Sequence, residues 1–275
     1  MALIVAGGAF GAGLLGALTG LGGGIVIVPM LTLIFRVDMR YAIGASLISV
    51  IATSSGAAAA YVREGFTNVR VGIFLEVATT SGALLGAALA GVIPASALKV
   101  LFGLVLLFTA YGSLRPRREH ELLHTPDEWS KRLRLDSTYP TPSGKQSYSV
   151  RRAPAGFAIM FVAGVLSALL GIGSGLIKVL AMDQLMRLPF KVSTTTSNFM
   201  IGVTAAASAG VFLHRGYIVP SLAFPVMLGV LSGALLGARL LGGANTHRLR
   251  QLFTVVVIVM AADMLYQGLH GLRMQ

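Results

Sequence analysis

The sequence predicts an all-α integral membrane protein made of two inverted-topology repeats. Each repeat is expected to hold a glycine-broken half-helix or re-entrant segment plus about three full spans. Composition is the first reason. Of 275 residues, 55% are hydrophobic and only 12% charged, and mean hydropathy is +0.79, whereas a soluble domain carries roughly 25% charged residues. Run length is the second, because several apolar stretches reach or approach the ~20 residues that cross a bilayer as helix. Internal repetition is the third. Thr19-Gly20-Leu21-Gly22-Gly23-Gly24-Ile25 returns as Leu170-Gly171-Ile172-Gly173-Ser174-Gly175-Leu176, 151 positions later. The same offset carries Arg40 to Lys191, Ser46 to Ser197, Gly65 to Gly216 and Phe102 to Phe253, and it maps Ser81–Ala87 onto an identical heptapeptide, Ser232–Ala238.

Residues 2–35 are almost uninterrupted apolar. As one helix they would run to about 50 Å, well past a hydrocarbon core of about 30 Å. The run therefore breaks, and the backbone loses least by breaking at Gly20–Gly24. That leaves a helix near 2–18 and a short one near 24–35, too short to cross alone. Spans near 41–62, 69–91 and 95–113 follow. The second copy repeats the plan as 156–170, a short helix 175–186, then 192–213, 219–241 and 248–268. The N-terminal run lacks a basic leader, and Ala17-Leu18-Thr19 is a poor cleavage site, so it reads as a retained helix.

The repeats occupy residues 1–113 and 155–275, and 114–154 is the long polar segment between them. Thr125-Pro126-Asp127-Glu128 reads as a helix start with a capping residue and proline at the first helical position. A short helix to about Leu135 would rest on the membrane surface through Trp129 and Leu133. Ser137 to Ser149, rich in Pro, Ser, Thr and Tyr, reads as a flexible linker.

The net charge of +12 would suggest nucleic acid in a soluble protein. Here the basic residues sit in loops, where they set orientation and meet anionic lipid, so no nucleic-acid partner is expected. With a cytoplasmic central loop and an odd number of crossings per repeat, Arg63, Arg70, Arg187, Lys191, Arg239, Arg248 and Arg250 join the nine basic residues of that loop. The outer side then receives only Arg36, Arg40, Lys99, Arg215 and Arg273. The positive-inside rule prefers this odd count, which inverts one repeat relative to the other. The absence of cysteine rules out thiolate metal sites, and the five histidines show no metal spacing. No cofactor is expected.

A helix that begins inside the membrane exposes N–H groups without intrahelical partners, and with its dipole it attracts anions. Gly22, Gly23 and Gly24 in the first copy and Gly173, Ser174 and Gly175 in the second are therefore candidate substrate-binding positions. Close helix packing is the plain alternative for the glycines. Ser46, Ser197, Thr196 and Asn198 can donate to oxyanion oxygens without adding charge; ordinary helix–helix hydrogen bonding competes with that reading. Lys178, three residues past Gly175, is costly in a membrane unless it faces a cavity or partner, or snorkels to an interface. An anion would compensate it. Its counterpart is Ile27. Glu76, opposite Met227, could pair with Lys178, carry a coupling proton or sit near a water-filled end. Asp183 and Asp263 read as interfacial.

Gly20-Leu21-Gly22-Gly23-Gly24 followed by Val28-Pro29, the helix start Gly44-Ala45-Ser46-Leu47, and the duplicated Ser-Gly-Ala-Leu-Leu-Gly resemble the TauE/SafE family of sulfite exporters. The resemblance covers both halves and leaves out 114–154. It departs from the pattern at Ser174, at Leu180 opposite Pro29, and at Lys178. It implies a transporter, not an enzyme, moving sulfite, sulfoacetate or other organosulfonates across the bacterial inner membrane. The partners expected are the small anion and membrane lipids, and a homodimer stays open. An anion channel, a lipid-phosphate enzyme and a membrane interaction protein are rivals. The enzyme would need an intramembrane His or paired carboxylates, and the sequence offers neither.

Overall fold

The computed structural model describes residues 2–19, 24–114, 127–141, 144–240 and 246–273. The candidate residues Gly22 and Gly23 lie outside these. The first repeat holds α1 (Ala2–Thr19), α2 (Gly24–Pro29) prolonged by a π-helical turn (Met30–Ile34), α3 (Met39–Arg63), α4 (Val69–Ala90) and α5 (Ala95–Leu114). A short α6 (Glu128–Arg132) and two strands, β1 (Ser137–Thr141) and β2 (Gly144–Tyr148), follow. The second repeat returns the same order. It comprises α7 (Ala153–Leu170), α8 (Gly175–Leu180) with a π turn (Ala181–Leu185), α9 (Phe190–His214), α10 (Pro220–Leu240) and α11 (Thr246–Arg273). Among the described residues, α4, α5, α7, α9, α10 and α11 are long and apolar enough to cross a bilayer. The protein is an integral membrane protein of the all-α class.

Each broken run folds back on itself. Gly8 of α1 lies against Met30 and Phe35, and Gly156 of α7 against Met186. Arg151 N–H, just before α7, donates to Met186 O at 3.1 Å. The π turn thus ends beside the start of the helix that led into it, which makes each pair a re-entrant hairpin. Both hairpins stop the same way. Arg36 (φ 52°) and Arg187 (φ 61°) take left-handed backbone, while Val37 N–H reaches Leu31 O at 3.0 Å and Leu188 N–H reaches Met182 O at 2.9 Å. Such bonds, reaching six residues back, satisfy helix-end carbonyls that lipid would leave orphaned.

The duplicated heptapeptides explain how the repeats hold together. A Cβ at Gly82 of α4 would overlap Phe161 O of α7, and one at Gly86 would overlap Val165 O. In the matching seam, Gly233 of α10 meets Phe10 O of α1, and Gly229 meets Ala6 O. Only hydrogen at these positions lets backbones approach so closely, and without water that contact is the main source of helix affinity. Each seam joins one repeat to the other. Residue pairs advance in the same sense along α4 and α7, and along α1 and α10. Along α5 and α11 they advance oppositely, since Gly103 meets Ala261 and Leu265 while Gly268 meets Ser96 and Val100. Helices α3 and α9 cross between the seams, with Gly202 against Ser54.

The segment 137–149, expected to be a flexible linker, is instead an antiparallel hairpin with Ser137 opposite Tyr148. Packing overrides its turn-rich composition: Leu135, Tyr148 and Val150 are buried with Val71, Leu75 and Met160. Asp136 Oδ1 accepts from Val150 N–H at 2.7 Å. The helix before it begins at Glu128 and is capped by Asp127, which accepts from Ser130 N–H; that corrects the expected start at Thr125-Pro126. Trp129 and Leu133 are exposed.

Candidate functional site

Left-handed residues turn α7 into α8, with φ of 67° at Gly171, 71° at Gly173 and 44° at Ser174. Glycine takes that conformation freely, whereas Ser174 is strained by it. The turn rests on α3 and α9. Ser46 Oγ of α3 donates to Gly171 O at 2.7 Å, and Ser197 Oγ of α9 donates to Gly175 O at 3.3 Å. Gly24, the first described residue of α2, would place a Cβ 3.4 Å from both Ser46 Oγ and Gly171 O. The structure therefore brings Gly24, Ser46, Gly173, Ser174, Gly175 and Ser197 together where α3 and α9 meet. Ser174 is buried, and its Oγ has no hydrogen-bond partner among the described residues.

Thr196 and Asn198 stand differently. Thr196 Oγ1 accepts from Asn68 N–H at 3.0 Å, at the foot of α4 rather than at the glycine turn. Asn198 is half-buried on α9. Asn68 ties this end of the helices to the central hairpin. Its Oδ1 caps α4 by accepting from Val71 N–H, and its Nδ2 donates to Leu135 O at 2.9 Å and to Tyr148 Oη at 2.8 Å. Burial pushes the Tyr148 phenol up to about 12, so it stays protonated.

Lys178 is wholly buried and does not snorkel. Its Nζ donates to Thr204 Oγ1 of α9 at 2.7 Å. Thr204 Oγ1 lies 2.7 Å from Glu76 Oε1 of α4, and Thr80 donates to the same oxygen at 2.9 Å. Thr204 Oγ1 also lies 2.9 Å from Met200 O; with its one proton given to the nearer Glu76 oxygen, the hydroxyl accepts from Lys178 and links ammonium to carboxylate in series. The sequence offered Glu76 as an ion partner for Lys178; the geometry interposes a hydroxyl between them. Sequence reasoning missed Thr204, although a signal existed. The offset of 151 pairs it with Thr53, so the hydroxyl occurs in both copies, while Lys178 and Glu76 each occur in only one. Thr53 only bonds back to Ser49 O and Val50 O. Glu76 is buried, and its Oε2 has no partner among the described residues. Asp183, expected at an interface, is buried in the π turn after α8, whereas Asp263 is exposed.

Arginines close the opposite end of α4. Arg40 donates to the carbonyls of Ala90, Gly91 and Ile93, and Arg215 to those of Ala87 and Ala88. Cations suit the negative end of a helix. At the other end, Arg70 reaches Arg134 O and Lys191 covers the Phe66 ring.

Among the described residues no group of His, Asp and Glu could hold a metal ion. What the arrangement offers is a buried lysine, a buried serine hydroxyl with no partner among the described residues, and bent backbone inside a helical bundle.

The chain is 27% identical over 265 residues to "Probable membrane transporter protein YunE" of Bacillus subtilis, covering 94% of this chain and 95% of that one. It is 27% identical over 221 residues to "Probable membrane transporter protein YdhB" of the same species, covering 80% and 82%. It is 24% identical over 268 residues to "Probable membrane transporter protein ORF9" of a Sinorhizobium species, covering 96% and 92%. No solved structure gives a significant match. A sequence model described as Sulfite exporter TauE/SafE matches residues 5–264. With a matched stretch reaching from the first re-entrant hairpin into α11, the chain belongs to the TauE/SafE family of membrane transporters.

Proposed function

We propose that the protein is a secondary transporter exporting small sulfur-containing oxyanions, such as sulfite, sulfoacetate or other organosulfonates, by alternating access. The two repeats rock around a shared site where α3 and α9 cross. The anionic head sits against Lys178 and the backbone turn at Gly173, Ser174 and Gly175, facing Gly24. Ser46 and Ser197 hold that turn in shape and exchange their carbonyl partners for the anion's oxygens as it arrives. Thr196 and Asn198 line the approach along α9. One observation carries the reading: a lysine entirely out of solvent, one helical turn past a buried serine hydroxyl that has no partner among the described residues, where a membrane helix is broken. An intramembrane ionisable residue marks a substrate path, and an oxyanion answers both groups at once.

Inverted repeats support the rocking mechanism. Helices α5 and α11, which correspond by sequence, run oppositely, and α4 runs with α7 as α1 runs with α10. Sidedness is supported by the arginines. Arg40 and Arg215 meet at one end of α4, while Arg70, Lys191 and the basic central segment gather at the other. By the positive-inside rule the latter end is cytoplasmic, at the inner membrane of a bacterium.

The test is thermal-shift screening of the purified protein against sulfite, sulfate, thiosulfate, sulfoacetate, taurine and methanesulfonate. At least one sulfur oxyanion should raise the melting temperature of the wild type, and Lys178→Met should abolish that rise. No shift with any of them, or an unchanged shift in the variant, removes this assignment.

A further inference from the structure

We propose that Glu76 is an internal counter-ion that the transported anion displaces from Lys178, and that Glu76 takes up a proton as it is displaced. Each anion then moves together with one proton. The inference rests on the transport reading above and adds its coupling.

Two 2.7 Å hydrogen bonds in series join Lys178 Nζ to Glu76 Oε1 through Thr204. In this state the pair is neutral as a whole, and one oxygen of the carboxylate is already matched. The other is not: Oε2 is buried without a partner among the described residues. An anion at the glycine turn competes for the same ammonium. Once it holds Lys178, Glu76 faces burial as an uncompensated charge, which a protein interior strongly disfavours. Binding a solvent proton at Oε2 forms an O–H bond and removes that charge. When the anion leaves, the proton returns to water and Lys178 resumes its link through Thr204.

The surroundings leave Lys178 as the charge Glu76 answers to. Helix α7, packed along α4, carries no ionisable side chain. On α9, Lys191 lies exposed in the first turn and His214 at the far end, each ten or more positions from Thr204. Asp183 follows Lys178 in the π turn and has an interaction of its own. On α4 itself Arg70 is exposed and reaches Arg134 O. A metal cation is a poorer coupling ion than a proton here. It would need several oxygen ligands and would sit one hydroxyl away from an ammonium, whereas a proton needs only the lone pair on Oε2.

Linkage makes the idea measurable, because protons favoured by the anion must favour the anion equally. Methanesulfonate is a suitable probe, since its own charge does not change with pH. Calorimetric titration of the full-length wild type in detergent should show a dissociation constant that weakens as pH rises, by up to tenfold per pH unit for one linked proton. Repeating it in buffers of different ionisation enthalpy should count about one proton taken up per anion bound. Glu76→Gln should flatten the pH dependence and abolish proton uptake. Thr204→Val, which removes the relay but neither charge, should reduce the pH dependence. Binding that is pH-independent with no proton uptake in the wild type overturns the coupling and leaves the transporter reading intact. Proton uptake persisting in Glu76→Gln overturns it as well. If the wild type binds no sulfur oxyanion at any pH, the transport reading fails and takes this inference with it. The wild-type proton count decides the matter even if Glu76→Gln does not fold.

Discussion

The two repeats share a scaffold and differ in charge. Each has the same re-entrant hairpin, the same left-handed arginine at its end and the same glycine seam against its sibling. Of the two sets of positions related by the repeat, one combines Lys178 and Thr204 of the second repeat with Glu76 of the first, while the other combines Ile27 and Thr53 of the first with Met227 of the second. Packing rules act on every helix pair, so both copies retain them. A single guest needs one cation, and a second buried charge would add its desolvation cost for no further gain. Duplication therefore marks structure here, and asymmetry marks the site.

The seams offer the harshest way to break this comparison. Gly82→Val and Gly233→Val should each cost more than the usual 1–3 kcal/mol of overpacking, since the clash is with backbone. Denaturation midpoints in detergent should fall alike for both. A tolerated substitution in one seam would show that the two are not equivalent.

Next in size is the charge pair. Lys178→Ile leaves Glu76 buried and alone, a loss of about 3–5 kcal/mol by analogy with broken buried pairs. Adding Glu76→Met turns this set into a copy of the uncharged one, Ile27, Thr53 and Met227. The double variant should regain most of that stability while losing anion binding, as thermal melts with and without ligand will show. A double variant no more stable than the single one would refute the linkage through Thr204.

Arg40 and its counterpart Lys191 sharpen the contrast at a gentler level. Arg40→Ala strips donors from three carbonyls and should cost about 1–3 kcal/mol, as charged hydrogen bonds do. Lys191→Ala forfeits a cation–π contact at an exposed site, about 0.5–1 kcal/mol. Equal losses would contradict their different surroundings.

The smallest effects belong to the central segment, which has no counterpart in either repeat. Burial pushes the Asp127 carboxyl up, but its hydrogen bonds from Ser130 and from the backbone N–H of Ala153 outweigh this and hold it below its usual value. Its contribution is present at neutral pH and is lost as acid titrates it. Tyr148, raised to about 12, behaves oppositely: its contribution is complete below about pH 10 and fades as pH rises toward 12. Hydrogen-exchange protection in the strands 137–141 and 144–148 should fall at both extremes, and Tyr148→Phe should cost about 1 kcal/mol by losing the bond from Asn68.

Much of the fold was legible because lipid imposes length and composition on every helix. The break in residues 2–35 followed from its excess length, and the repeat from a constant offset. The central hairpin was hidden because its strands expose most side chains and anchor through Tyr148 and its neighbours, so no alternation announced it. Lys178 and Glu76 stood out as charges in apolar runs. Their distance did not, because it depends on how α4, α8 and α9 meet. Thr204 stayed invisible for a further reason: most threonines in such helices merely bond back to their own carbonyls.

The glycine seams have a consequence for how the chain comes into being. Helix α1 is made first, yet its ledge for Gly229 and Gly233 waits until α10 has been synthesised, and α7 completes what α4 began. Neither half can reach its resting shape unaided. Two separately expressed halves should assemble only when made in the same cell, as swapped partners of each other.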